Sequence, residues 1–405
     1  MYLNKKLKNL LIILGFIVIV LLILFITYPH HIFLLSQGFP GTVSNPWGDA
    51  WHYYTMTIEP FNSIVDAPFC YRILTPLIVY LMPFDPIIGY WSLTVICTML
   101  TSLLLYYYLK ALEIKTYFAI LGSILFLISV PNFYLFFYTI FVDPLQYLLF
   151  LLGCFLLLKI NSSEIKGKKE ILSIVLILSI GMLNKETIVF LIPLYLISAR
   201  GNKLKKSLKT IGISIPPLII YLLLRYLIPY SGYTFEGLWI EYHLLRFPNT
   251  IYDIYLPFLV SWFLVLPSFY KIGSNSEINS FLYKSSVMIP FFIFQIALAS
   301  DIYRNVFIAF PIIIPLALNS LMKIERKFLH FSNYKKPLEK SGVKPSSNFI
   351  SNIFMFFQVF ISVLNFLQWS VPANLNLDFM RIFYFGALLM EFFFFMYLII
   401  RYFTK

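Results

Sequence analysis

The chain has 405 residues, 60% of them hydrophobic and 12% charged, with a net charge of +13. A soluble protein is typically about 25% charged, so this composition excludes a water-soluble enzyme. The lysines stand in short clusters between apolar runs, which excludes a nucleic-acid-binding face. It matches the positive-inside pattern of membrane proteins, whose basic loops also attract anionic lipid head groups.

In chain order, the first apolar run, 9–28, follows Lys5, Lys6 and Lys8. It is too long for a signal-peptide core and reads as a retained anchor. Residues 29–85 form a long outer segment, within which Ala67–Leu81 reads as an interfacial helix. Further spans are predicted near 86–109, 116–135, 140–159, 171–183, 187–199, 210–230, 257–270, 287–300, 305–322, 348–369 and 380–400, about twelve in all. Residues 171–198 are split at Asn184-Lys185-Glu186, because one long helix would turn Lys203, Lys205, Lys206 and Lys209 outward. With that parity every Lys and Arg is cytoplasmic except Arg72, Lys185, Arg225, Arg246, Arg304 and Arg381, and both termini are cytoplasmic. The fold class expected is all-α: a polytopic transmembrane helix bundle forming one membrane domain, 1–405. It divides into a core at 1–320, a basic cytoplasmic linker at 321–347 and two further helices at 348–405.

The candidate site residues gather on the outer side. Asp49 lies in Gly48-Asp49-Ala50-Trp51-His52-Tyr53-Tyr54, where it also reads as a helix N-cap. Arg72 lies in Phe69-Cys70-Tyr71-Arg72, where it could snorkel to the interface or meet a lipid phosphate. Asp143 opens a helix with Pro144 at its first position. Lys185 and Glu186 are adjacent opposite charges at membrane depth, where ionisable groups usually have a use. Arg304 follows Asp301 by one helical turn, close enough for a local ion pair. Cys70, Cys97 and Cys154 have neither CxxC nor metal-type spacing, and His30-His31 lacks a third ligand. There is no P-loop, GxGxxG or HExxH, so nucleotide-driven chemistry has no support.

The order of these motifs resembles the GT-C superfamily of integral membrane glycosyltransferases. They are an Asp in the first outer loop, Ala-Pro-Phe-x-Tyr-Arg-x-Leu-x-Pro, Asp-Pro-Leu opening a helix, Lys-Glu-Thr, and a late Arg with prolines. The resemblance covers roughly residues 9–320 and is nearest the bacterial and archaeal branch. It implies transfer of a sugar from a polyprenyl-phosphate carrier to a glycan, lipid or protein acceptor at the extracytoplasmic face of the cell membrane. It implies Asp49 as the base or acceptor-orienting residue, with Asp143 as its catalytic neighbour. Developing charge on the lipid phosphate needs cationic stabilisation, expected from Arg304, Lys185 and Arg72 with Glu186, His52, Tyr53 and Asp301 in support. Ala50 stands where several branches carry a second acidic residue, so a divalent metal has no support from the sequence. A twelve-helix secondary transporter is the competing reading, although the halves show no internal repeat. A polysaccharide polymerase or ligase is the third.

Overall fold

A computed structural model describes residues 5–37, 49–60, 65–162, 168–199, 202–233, 244–247, 249–269, 277–295, 302–334, 348–370 and 378–404. The first half contains α1 (Lys5–Gln37), α2 (Asp49–Ile58), a strand β1 (Val65–Ala67) and α3 (Leu74–Tyr80). It continues through α4 (Pro86–Ala111), α5 (Thr116–Leu127), α6 (Val130–Phe137), α7 (Asp143–Ser162) and α8 (Lys168–Met182). Then come α9 (Leu191–Ser198), α10 (Lys203–Leu227) and β2 (Tyr230–Tyr233). The second half holds α11 (Asn249–Tyr255), α12 (Ser261–Leu264), α13 (Leu266–Phe269), α14 (Glu277–Ser286) and α15 (Ile289–Phe294). It ends with α16 (Ile302–Val306), α17 (Phe310–Tyr334), α18 (Phe349–Ser370) and α19 (Asp378–Phe403).

Five stretches among the described residues are long and apolar enough to cross a membrane: Pro86–Ala111, Asp143–Asn161, Lys203–Leu227, Ile302–Phe328 and Tyr384–Phe403. The α5–α6 pair makes a sixth if its 44° bend is counted within one span. Asn9–Phe25, Glu186–Ser198, Ser280–Phe294 and Phe349–Asn365 are shorter apolar helices. Large apolar side chains point outward from these elements, Phe25 at 78% and Tyr226 at 86% exposure among them. Contiguous apolar surface of this kind is what lipid covers. The chain is an integral, polytopic, helical membrane protein.

Local chemistry explains the element boundaries. Asp85 caps α4 by accepting from the Ile87 N–H at 2.9 Å, with Pro86 at the first helical position. Pro131 sits at the start of α6, where its missing N–H breaks the α5–α6 span. Gly122 lets three helices close: a Cβ there would stand 2.6 Å from Leu109 on α4 and 2.7 Å from Leu318 on α17. The α4–α7, α7–α8 and α8–α10 pairs pack directly. The ion pairs described below bring the start of α7, the end of α8 and the end of α10 to one place.

The structure departs from expectation at two places. Ala67–Leu81 is not one helix: Val65–Ala67 is a strand, Phe69–Tyr71 a 3-10 turn, and only Leu74–Tyr80 is α-helical. Ala67 precedes Pro68, and a residue before proline is pushed from the helical to the extended region. That strand pairs in parallel with β2, Val65 opposite Tyr230 and Ala67 opposite Tyr233, so a two-stranded sheet joins the bundle. The 257–270 run is two four-residue turns, with Leu259 at φ 47° and Pro257 and Pro267 interrupting it. Asp301 and the latter part of the 287–300 run lie outside the described residues.

Candidate active site

The charges singled out in the sequence converge, Asp301 aside, although they come from five separate parts of the chain. At the centre is Asp143, the first residue of α7, 2% exposed. Its Oδ1 accepts from Lys185 Nζ at 2.6 Å and its Oδ2 from an Arg304 terminal nitrogen at 2.8 Å. The other terminal nitrogen of Arg304 donates to Asp49 Oδ2 at 3.1 Å. Two cations and two carboxylates thus form a network of zero net formal charge. Three members are nearly sealed, with Lys185 at 8% and Arg304 at 3% exposure, whereas Asp49 at the start of α2 is 28% exposed. A buried charge is tolerated only when paired and hydrogen-bonded, and here each is. Asp301, the partner expected for Arg304, lies outside the described residues.

Neighbouring groups fix this network. The chain breaks after Met182, and the next residues, Glu186–Phe190, form a 3-10 turn into α9. That break is built around Asn184, fully buried. Its Nδ2 donates to the Val142 carbonyl at 2.9 Å and its Oδ1 accepts from Thr75 at 2.6 Å. The Leu74 N–H donates to the Leu183 carbonyl at 2.9 Å, tying α3 to the same turn. Arg304 lies 4.0 Å from the Phe141 ring centroid, and its backbone carbonyl accepts from Tyr147 at 2.8 Å. An aromatic face under a desolvated guanidinium adds cation–π attraction.

A second cluster lies beside the first. Arg72 Nε donates to Glu186 at 3.1 Å, and another Arg72 nitrogen donates to the Tyr53 hydroxyl at 2.8 Å. Arg225, near the end of α10, approaches the other Glu186 oxygen at 3.7 Å. Its guanidinium rests between aromatic rings, 3.4 Å from the Tyr221 centroid and 4.5 Å from that of Tyr71. This cluster has two cations and one carboxylate, a net formal charge of +1. Arg72, Arg225 and Glu186 are 14%, 24% and 27% exposed. Burial opposes the charge on Arg72, but Glu186 and the Tyr53 phenol more than offset it and hold its pKa above the ordinary value. Tyr53 joins the two clusters, since its helix also carries Asp49.

Arg225 was not expected as a site residue. Its only signal in the sequence is that it is one of the few basic residues outside the segments expected to be cytoplasmic. His52 lies one turn after Asp49 and stacks flat on Phe69, with centroids 4.5 Å apart and planes at 6°. Among the described residues, no three of His, Cys, Asp and Glu group as a metal-ligand set.

Residues 66–228 match the family model of dolichyl-phosphate-mannose-protein mannosyltransferases. That segment carries Arg72, Asp143, Lys185, Glu186 and Arg225, and leaves Asp49, His52, Tyr53 and Arg304 outside it. No curated protein sequence matches the chain. Among solved structures it is similar to the crystal structure of ArnT from Cupriavidus metallidurans in the apo state, at 11% identity and a TM-score of 0.49, over 93% of this chain and 75% of that one. The family match bears out the resemblance read from the motifs: over residues 66–228 the chain is similar to the integral membrane glycosyltransferases of the GT-C superfamily.

Proposed function

We propose that this transferase takes a sugar from a polyprenyl-phosphate carrier and passes it to a hydroxyl acceptor at the extracytoplasmic face of the cell membrane, with both termini cytoplasmic. The observation that carries this reading is the division of charge. A neutral, sealed network presents one half-open carboxylate, Asp49, beside a half-open cluster of net positive charge, Arg72 with Arg225 and Glu186. Asp49 serves as base: it takes the proton as the acceptor oxygen attacks the anomeric carbon. The bond from that carbon to the phosphate oxygen breaks, and the lipid phosphate leaves as an anion. General-base help of this kind contributes typically 10²–10⁴-fold.

The departing phosphate meets Arg72 and Arg225, whose planar guanidiniums suit bidentate contact with phosphate oxygens. Arg304 and Lys185, expected as phosphate ligands, act in this reading by holding Asp143 and aiming Asp49, because both already hydrogen-bond carboxylates. Glu186 sets the spacing of the two arginines, and the lipid tail lies along apolar helix faces that no soluble carrier would need.

The test uses purified protein in liposomes given radiolabelled undecaprenyl-phosphate sugars, mannosyl, glucosyl and galactosyl, with cell-envelope lipid extract as acceptor. Loss of label from one donor, with release of undecaprenyl phosphate, is expected. All three donors remaining intact under conditions where the protein binds undecaprenyl phosphate would contradict the reading.

A further inference from the structure

α2 buries Ala50, Tyr53, Met56 and Thr57 along one face. Asp49 and His52 are one turn apart, as neighbours on a helix surface are, and both are half-exposed. The ring of His52 lies flat on Phe69 at 4.5 Å, and the same Phe69 ring has the Arg72 guanidinium 5.4 Å from its centroid. The imidazole and the first cation of the positive cluster therefore share one aromatic ring. Among the described residues neither nitrogen of His52 makes a hydrogen bond. Burial lowers its pKa, and Asp66 and Asp49 only partly offset this, so at neutral pH the ring offers one N–H donor and one bare acceptor nitrogen.

Resting on the reading above, we infer that His52, held flat by Phe69, is the subsite for the transferred sugar and hydrogen-bonds one of its ring hydroxyls. The geometry constrains what can stand there. A donor whose phosphate lies on Arg72 and Arg225, and whose anomeric carbon lies within an acceptor's reach of Asp49, runs its ring past the start of α2, where His52 stands one turn from Asp49 and rests on the Phe69 ring that also meets Arg72. A sugar hydroxyl both donates and accepts, as a neutral imidazole does. Fixing the imidazole by stacking removes rotamer freedom that would otherwise weaken such a bond. His52 is a specificity residue on this account: it touches the sugar and takes no part in breaking the bond.

The test modifies the intact, reconstituted protein with diethyl pyrocarbonate and follows acylation of the His52 peptide by mass spectrometry. The probes are bare undecaprenyl phosphate and its mannosyl, glucosyl and galactosyl esters, with binding measured in parallel. The expected result is that at least one sugar ester slows acylation of His52 several-fold beyond the bare lipid. His52→Phe, which keeps a ring on Phe69, should weaken binding of that ester by roughly five- to tenfold, the worth of one hydrogen bond. It should leave binding of the bare lipid unchanged. Sugar esters that bind yet leave the acylation rate at the bare-lipid value would overturn this inference while sparing the proposed function. Failure of every probe, bare lipid included, to bind would overturn the proposed function and this inference with it.

Discussion

At the scale of single residues, exposure assigns the roles. Arg304 and Arg225 are both arginines of the candidate site, yet one is clamped by two carboxylates and the other is held loosely by one at 3.7 Å. Arg225→Gln is accordingly expected to weaken binding of undecaprenyl phosphate by about ten- to a hundredfold, the range for a hydrogen bond to a charged group. Arg225→Lys should recover only part of this, because it keeps the charge but loses the fork and the stack on Tyr221. Equal affinity in wild type and Arg225→Gln would remove Arg225 from the site. His52 adds a pH dependence. Its folded pKa lies below the ordinary 6.5, with burial the main cause. The folded state therefore prefers the neutral ring: the associated stability is complete above about pH 6.5 and is lost as pH falls through the folded pKa. Thermal unfolding of wild type should shift downward on acidification more than that of His52→Phe. The charged residues were legible in the sequence because ionisable groups beside apolar runs are conspicuous. Their pairing was not, since Asp143 meets Lys185 across 42 positions and Asp49 meets Arg304 across 255. Arg225 escaped notice because a basic residue at a helix end reads equally well as one that snorkels.

At the scale of elements, the break between α8 and α9 does most to form the site. It delivers Lys185 to Asp143 and Glu186 to the two arginines, with Asn184 locking the turn. The two partners in the central pair should not be equivalent. Asp143→Asn leaves Lys185 buried with no carboxylate, and is expected to cost about 3–5 kcal/mol, the loss typical of orphaning a buried charge. Lys185→Met leaves Asp143 still paired with Arg304 and should cost distinctly less. The double variant should recover much of the loss of Asp143→Asn, because it removes the orphaned ammonium. Thermal unfolding in a single detergent would show this order, and equal losses for the two single variants would contradict it. The break itself was readable from positive-inside parity, which one long helix at 171–198 would have violated. The strand at Val65–Ala67 was not readable, because its partner lies at Tyr230–Tyr233, far along the chain. Local propensity alone reads the stretch after Pro68 as one helix.

At the scale of the whole molecule, the structure separates a greasy, lipid-facing exterior from one polar assembly where several helices end. The all-helical class followed from composition, since only internally hydrogen-bonded helices satisfy the backbone in lipid. Span boundaries followed less well where prolines interrupt apolar runs, as at Pro131, Pro257 and Pro267. The orientation proposed here puts the lysine-rich start of α10 in the cytoplasm. A Lys203→Cys variant in intact cells should therefore resist a membrane-impermeant maleimide until the cells are opened. Labelling from outside would reverse the topology and put the site on the wrong face for an extracytoplasmic transferase. The central claim is that Asp49 alone, of the two carboxylates bound to Arg304, performs chemistry. The most direct measurement compares transfer from the labelled donor by wild type and Asp49→Asn at matched amounts of folded protein. The expected result is a fall of roughly 10²–10⁴-fold with little change in thermal unfolding, whereas turnover by Asp49→Asn at the wild-type rate would contradict the account.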